Sequence, residues 1–219
     1  MFWKKDKNSE PVNPELAREV NRKKSNSNFM IITIIFFAGL FVVNYFVFQG
    51  MQVKYDVISQ KICYIVNEDM SVILSSDMNL RANDQKSYDK LIEGFKTSDS
   101  EKKKKYEEFL DGLEKDSQKQ LQVISYSSTS TTQDLYLTVK EDVRITGFIE
   151  KSDDYTYIFN LKNQKLKIDD KTSLYIYAPE GWIIQSAVPV PLIIENEYAM
   201  WKNAGQMDFP NVIMIRQPQ

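Results

Sequence analysis

The sequence predicts a membrane-anchored protein of the α+β class, with a single N-terminal transmembrane helix, then helices, then an antiparallel sheet. Three observations lead there. Residues 29–48 form a run of twenty residues without a charge. Residues 84–120 carry apolar side chains at helical spacing. From Leu121 onward the apolar period falls to two, and β-branched and aromatic residues dominate. Helices followed by a run of strands define an α+β domain, whose helices bury one sheet face.

At about 1.5 Å per residue, the run at 29–48 spans roughly the 30 Å of a bilayer's hydrocarbon core. Phe29, Ile34, Phe37, Leu40, Val43 and Phe48 give the anchor its apolar surface; Thr33, Asn44 and Tyr45 are its polar members. A signal peptide has a shorter apolar stretch and small residues at its cleavage site, whereas Gln49-Gly50-Met51-Gln52 follows here. The arm before the run holds Lys4, Lys5, Lys7, Arg18, Arg22, Lys23 and Lys24, while the twenty residues after it hold only Lys54 and Lys61. The excess of positive charge puts the N-terminus in the cytoplasm and everything after the anchor outside it. The expected location is the inner (cytoplasmic) membrane, with a periplasmic or otherwise extracytoplasmic C-terminal domain.

About 170 residues remain beyond the anchor, enough for one domain with its own core. The formal net charge of −2 gives no electrostatic reason for nucleic-acid binding. The chain has no histidine, which removes the commonest general base and metal ligand. Cys63 is the single cysteine, so no internal disulfide forms; it reads as a small buried apolar residue or as a bridge between two copies.

Along the chain, residues 1–28 form a cytoplasmic arm with a short helix from about Pro14 to Lys24. Residues 49–83 are a connecting segment in which Met51, Tyr55, Val57, Ile58 and Ile62 continue the membrane helix outward, and Val72-Ile73-Leu74 is an apolar knot. Tyr88, Leu91, Ile92 and Phe95 mark a first helix of the domain at 84–188. Ser98 and Glu101 make the S-x-x-E capping box of a second, whose buried stripe is Tyr106, Phe109, Leu110 and Leu113. The basic run at 102–105 reads as a solvated face among Glu101, Glu107, Glu108 and Asp111. Residues 121–126 are a strand or the fraying end of that helix. Then come strands at 135–139, 143–149, 155–161, 174–177 and 182–188, separated by turns at Lys140-Glu141-Asp142, Ser152-Asp153-Asp154, Asn163-Gln164, Asp169-Asp170 and Pro179-Glu180-Gly181. Pro189 and Pro191 open a C-terminal extension at 189–219, with a helical turn near 195–201 and an apolar strand at 209–215. Such an apolar end either closes the domain's own sheet or adds a strand to a neighbour.

No phosphate loop, dinucleotide fingerprint, nucleophile elbow or zinc-helix motif occurs. Asp153-Asp154 and Asp169-Asp170 are carboxylate pairs of the kind a tethered hydrolase would use, but they sit at turns that select aspartate for backbone reasons. No catalytic residue, cofactor or metal is expected. Tyr136, Tyr155, Tyr157, Tyr175 and Tyr177 offer rigid amphipathic contact area. Tyr136, Tyr157, Tyr175, Trp201 and Phe209 are the candidate interaction residues.

The order of arm, membrane helix, helices and sheet resembles the TraE/VirB-eight-type inner-membrane subunit of type IV secretion and conjugation machines, over about residues 88–187. Leu135-Tyr136-Leu137-Thr138-Val139, a short turn and Val143-Arg144-Ile145-Thr146-Gly147 are similar to that family's hairpin with a V-x-I-x-G strand. Leu174-Tyr175-Ile176-Tyr177 followed by Gly181-Trp182 resembles its closing hairpin. The resemblance implies a nuclear transport factor two-like fold and a non-catalytic scaffold of a secretion or conjugation apparatus. Its expected partners are the membrane, other secretion-apparatus subunits and further copies of itself, and not nucleic acid. Another envelope scaffold of the same topology, such as a divisome or pilus-alignment protein, is the alternative.

Overall fold

Two long strands open the structure where a connecting segment was expected. The computed structural model describes residues 53–217. Strand β1 (Tyr55–Val66) pairs antiparallel with β2 (Val72–Ala82). Ile62, Tyr64 and Val66 point one way and Lys61, Cys63 and Ile65 the other. The i, i+3, i+4 spacing that suggested a helix here is overruled by β-branched density and by a partner strand of matching length.

Two helices follow, α1 (Gln85–Phe95) and α2 (Asp99–Ser117). Asp84 caps α1 by accepting from Ser87 N at 2.7 Å, and Ser98 caps α2 by accepting from Glu101 N at 3.3 Å. The expected stripe of α2 is inside: Tyr106, Leu110 and Leu113 are buried and Phe109 half-buried. The helix ends at Gln118, whose positive φ of 58° turns the chain into β3.

The remaining elements are strands: β3 (Gln122–Gln133), β4 (Tyr136–Thr146), β5 (Ile149–Asp153), β6 (Thr156–Phe159), β7 (Lys165–Ile168), β8 (Thr172–Tyr177), β9 (Trp182–Val188), β10 (Ile193–Ile194), β11 (Tyr198–Lys202), β12 (Gly205–Asp208) and β13 (Asn211–Arg216). They form a seven-stranded sheet in the order β10-β11-β8-β1-β2-β4-β3, a four-stranded sheet β5-β6-β13-β9 and a two-stranded ribbon β12-β7. The segments on either side of 84–188 thus supply central members of both larger sheets. The apolar strand near the C-terminus closes the protein's own sheet, between β6 and β9.

This architecture corrects the α+β, nuclear transport factor two-like expectation: the described residues are mainly β, with thirteen strands and two helices. Three local readings change with it. Lys140-Glu141-Asp142 is no turn, because β4 runs unbroken through it; Leu137, Val139, Val143 and Ile145 keep one phase, and Glu141 occupies that phase as a buried residue. β8 and β9 lie in different sheets and are not a closing hairpin. The helical turn near 195–201 is strand β11. The single-pass, transmembrane-helix description also has nothing to rest on among the described residues, where no helix is long and apolar enough to cross a membrane. The run at 29–48, with Phe29, Ile34, Phe37, Leu40, Val43 and Phe48, lies outside the described residues, as does the arm before it.

One face of the seven-stranded sheet carries the core. Ile62, Tyr64, Leu74, Val143, Ile145, Leu174 and Trp201 pack with α2, with Phe159, Val212 and Met214 of the four-stranded sheet and with Ile168 of the ribbon. At the other end of the same face, Met78, Leu80, Leu137 and Val139 pack under Leu91 of α1. The opposite phase of the same strands contributes to neither cluster.

Candidate interaction face

That opposite phase is where the sequence's unexplained apolar residues collect. The register places Ile193, Met200, Tyr175 and Cys63 in one row across β10, β11, β8 and β1. Tyr198, Tyr177, Ile65 and Ile73 form the next row, across β11, β8, β1 and β2. Eight apolar or aromatic side chains therefore share two adjacent rows of an outward face. An outward face of a sheet normally turns polar residues to water, and the same face does so on β4, beyond β2, with Thr138, Lys140, Asp142 and Arg144.

The tyrosines hold one another in place. Tyr175 and Tyr177 stack at 6.0 Å with an interplanar angle of 11°, and Tyr198 lies 6.1 Å from the first and 5.6 Å from the second. The Lys61 ammonium sits 4.8 Å from the centre of the Tyr175 ring. Met200 and Cys63, the register neighbours of Tyr175 on either side, are largely covered. Cys63 is thus a small apolar residue, its thiol pKa pushed up chiefly by burial. Ile65 is 36% exposed and Ile193 38%, so the rims of the patch meet solvent. At the β10 edge the apolar surface continues through Leu192 and Val190, 66% and 87% exposed. The Trp201 indole anchors that edge by donating to the Pro189 carbonyl at 3.0 Å.

The five predicted interaction residues part company. Tyr175 lies in the patch, and Tyr136 is exposed at the polar end, its ring 5.7 Å from the Arg81 guanidinium. The other three are core residues. Tyr157 stacks on Trp182 at 4.1 Å, and Trp201 and Phe209 are buried. Tyr198, Ile65, Met200 and Ile193 were missed because they fall in segments read as connector and extension. One signal was available: residues 62–66 are apolar in both phases, which calls for cover on both faces.

A second cluster joins α2 to β3 and β4. Lys102, read from sequence as part of a solvated run, is buried and donates to Ser128 Oγ at 2.7 Å; Ser128 donates to Asp99 at 2.9 Å. Tyr126 donates to Glu141 Oε1 at 2.5 Å. A serine beside a lysine is the pair some hydrolases use, but here Lys102 donates to Ser128, and the serine hydroxyl donates in turn to Asp99 and not to the amine. The cluster fastens the helix to the sheet. The turn aspartates do likewise for their own loops: Asp153 accepts from Tyr155 N, Asp154 pairs with Lys151, and Asp169 accepts from Lys171 N. Among the described residues no group of acidic or cysteine side chains could hold a metal ion.

Burial raises the pKa of Glu141 above its usual 4.5, with the Tyr126 hydrogen bond and the Lys102 charge opposing and Asp99 reinforcing the shift. The folded state therefore holds this proton more tightly than the unfolded chain. The stability it contributes is complete below pH 4.5 and is lost as pH rises through the folded value. Relative to wild type, Glu141→Gln should gain stability above pH 4.5 and level off once the folded Glu141 has lost its proton, in urea unfolding at a series of pH values. A difference that stays flat with pH would show that Glu141 does not titrate in this window.

No curated protein matches the chain. The profile of a domain of unknown function, DUF4897, matches residues 55–215, from the first residue of β1 to the penultimate residue of β13. That is well over half of the chain, and the protein belongs to the DUF4897 family.

Proposed function

We propose that the protein is a non-catalytic assembly module that binds other proteins through the aromatic face of its seven-stranded sheet. The observation that carries this is the two-row patch of Tyr175, Tyr177, Tyr198, Ile65, Ile73, Met200, Cys63 and Ile193 on a sheet face that belongs to neither core cluster. Contiguous exposed apolar surface of this kind marks contact sites, and tyrosine is a preferred anchor residue. The absence of histidine from the sequence and the pairing of Lys102 with Asp99 support a role without catalysis.

The place that suits such a module is the one expected from the charges around residues 29–48, at the outer side of the cytoplasmic membrane. A role in a type IV secretion apparatus has less behind it, because neither quoted hairpin is a hairpin here. An assembly subunit of some other envelope complex fits the structure equally well.

Replacing Tyr177 and Tyr198 together by serine should weaken partner capture from detergent extracts by about tenfold or more. Stability should change by only about 1 kcal/mol, because both rings are half-exposed. Capture that survives the double replacement would move the binding site elsewhere.

A further inference from the structure

The same face tells which partner it suits, an inference that rests on the binding role just proposed. Parallel to the two apolar rows runs a third: Lys202, Ser173, Lys61, Asp77 and Lys140 across β11, β8, β1, β2 and β4. Asp77 is engaged by Lys140 at 3.6 Å, which leaves Lys61 and Lys202 as an exposed basic edge beside the tyrosines. On the opposite side of the apolar rows, Glu180 and Glu197 share a hollow with Ile65 and Tyr177, and Glu195 lies beside the Tyr198 hydroxyl. All three glutamates are exposed. The patch is thus an apolar stripe with a basic edge on one side and an acidic edge on the other.

We propose that the occupant of this face is a second copy of the chain, packed face to face about a two-fold axis. The axis lies in the plane of the face and runs parallel to the rows. Rotation about it keeps each strand opposite its own copy but reverses the order of the rows. The tyrosine row of one copy then meets the Tyr175–Met200 row of the other. The Lys61 and Lys202 edge meets the Glu180 and Glu197 edge, twice over. A face with a single charge sign would repel its own copy; this one attracts it. Stacked sheets sit about 10 Å apart, a distance that half-buried tyrosines on both sides fill. The five strands of the patch at about 4.8 Å and five residues along them cover roughly 400 Å² per copy. The total, about 800 Å², is the size of a weak, reversible pairing, so charge complementarity has to carry its specificity.

The test is sedimentation equilibrium of the full chain in density-matched detergent, with melts to verify that each variant folds. Lys61→Glu with Lys202→Glu should weaken the dimer about tenfold or more. Glu180→Lys with Glu197→Lys should do the same. The four changes together recreate complementary edges with reversed signs and should bring the dissociation constant back to within about threefold of wild type. Three results overturn the proposal: a wild-type chain that stays monomeric through the micromolar range, charge pairs without effect, or four changes without recovery. If any of these occurs while Tyr177→Ser with Tyr198→Ser still abolishes capture of a different protein, self-pairing fails and the binding role stands.

Discussion

Valine in place of Gly147 should cost about 4 kcal/mol or more and leave little folded protein. Two independent obstacles meet there. The backbone has φ +98°, a left-handed conformation that β-branched residues avoid. A Cβ on this residue would also lie 1.9 Å from the carbonyl oxygen of Gln120 and 2.9 Å from its carbon. That carbonyl cannot retreat easily, because both its neighbours are fastened. Lys119 donates to the Phe148 carbonyl at 2.9 Å and pairs with Glu150 at 3.1 Å, while Leu121 N donates to Glu114 at 2.6 Å. The loop from α2 to β3 and the turn from β4 to β5 thus cross at a point where only a hydrogen fits. Gly181 supplies the comparison, since it has φ +76° but nothing within 4 Å of a built Cβ. Gly181→Ala should cost only about 1 kcal/mol. The difference between the two variants in urea unfolding of the full chain isolates the contact from the dihedral strain; equal costs would mean the crossing is not rigid.

The sequence was most legible where independent rules agreed. Ser98 with Glu101 and the stripe from Tyr106 to Leu113 located α2, because capping and a single buried face point the same way. It was least legible where a charge stood in a core phase. Glu141 between Asp142 and Lys140 looks like a turn, yet the alternation of Leu137, Val139, Val143 and Ile145 passes through it without a skip. Only the Tyr126 hydroxyl and Lys102, brought from β3 and α2, make that buried carboxylate tolerable, and neither is near it in sequence. The long strand β1 was lost for a related reason. Its cross-strand partners β2 and β8 differ by a hundred residues in position, and short apolar windows fit a helix as well as a strand. The interaction face inherits that difficulty. Its rows are assembled from β10, β11, β8, β1 and β2, so no single stretch of sequence contains it. Tyrosine enrichment alone selected Tyr157, which turns inward, alongside Tyr175, which turns outward.

Phe159→Ala should remove about 3–5 kcal/mol, the other large loss expected in this protein. The side chain is fully buried on β6, with its ring 5.3 Å from Tyr64 of β1, 5.7 Å from Phe148 and 5.5 Å from Phe209. These four rings connect the seven-stranded sheet to the four-stranded one, so the cavity would open between the two sheets and not within either. Tyr155 on the preceding turn is 66% exposed, and Tyr155→Ala should stay within about 0.5 kcal/mol. The position of the cluster adds a consequence that size alone does not give. Trp182 belongs to the four-stranded sheet and Trp201 to the seven-stranded one. With Trp3 replaced, single-tryptophan backgrounds report on each sheet separately. If the aromatic cluster couples the sheets into one cooperative unit, Phe159→Ala lowers both fluorescence midpoints by the same amount. If instead only the Trp182 transition moves, the two sheets unfold independently, and the packing of Tyr64 against Phe159 does not bind them together.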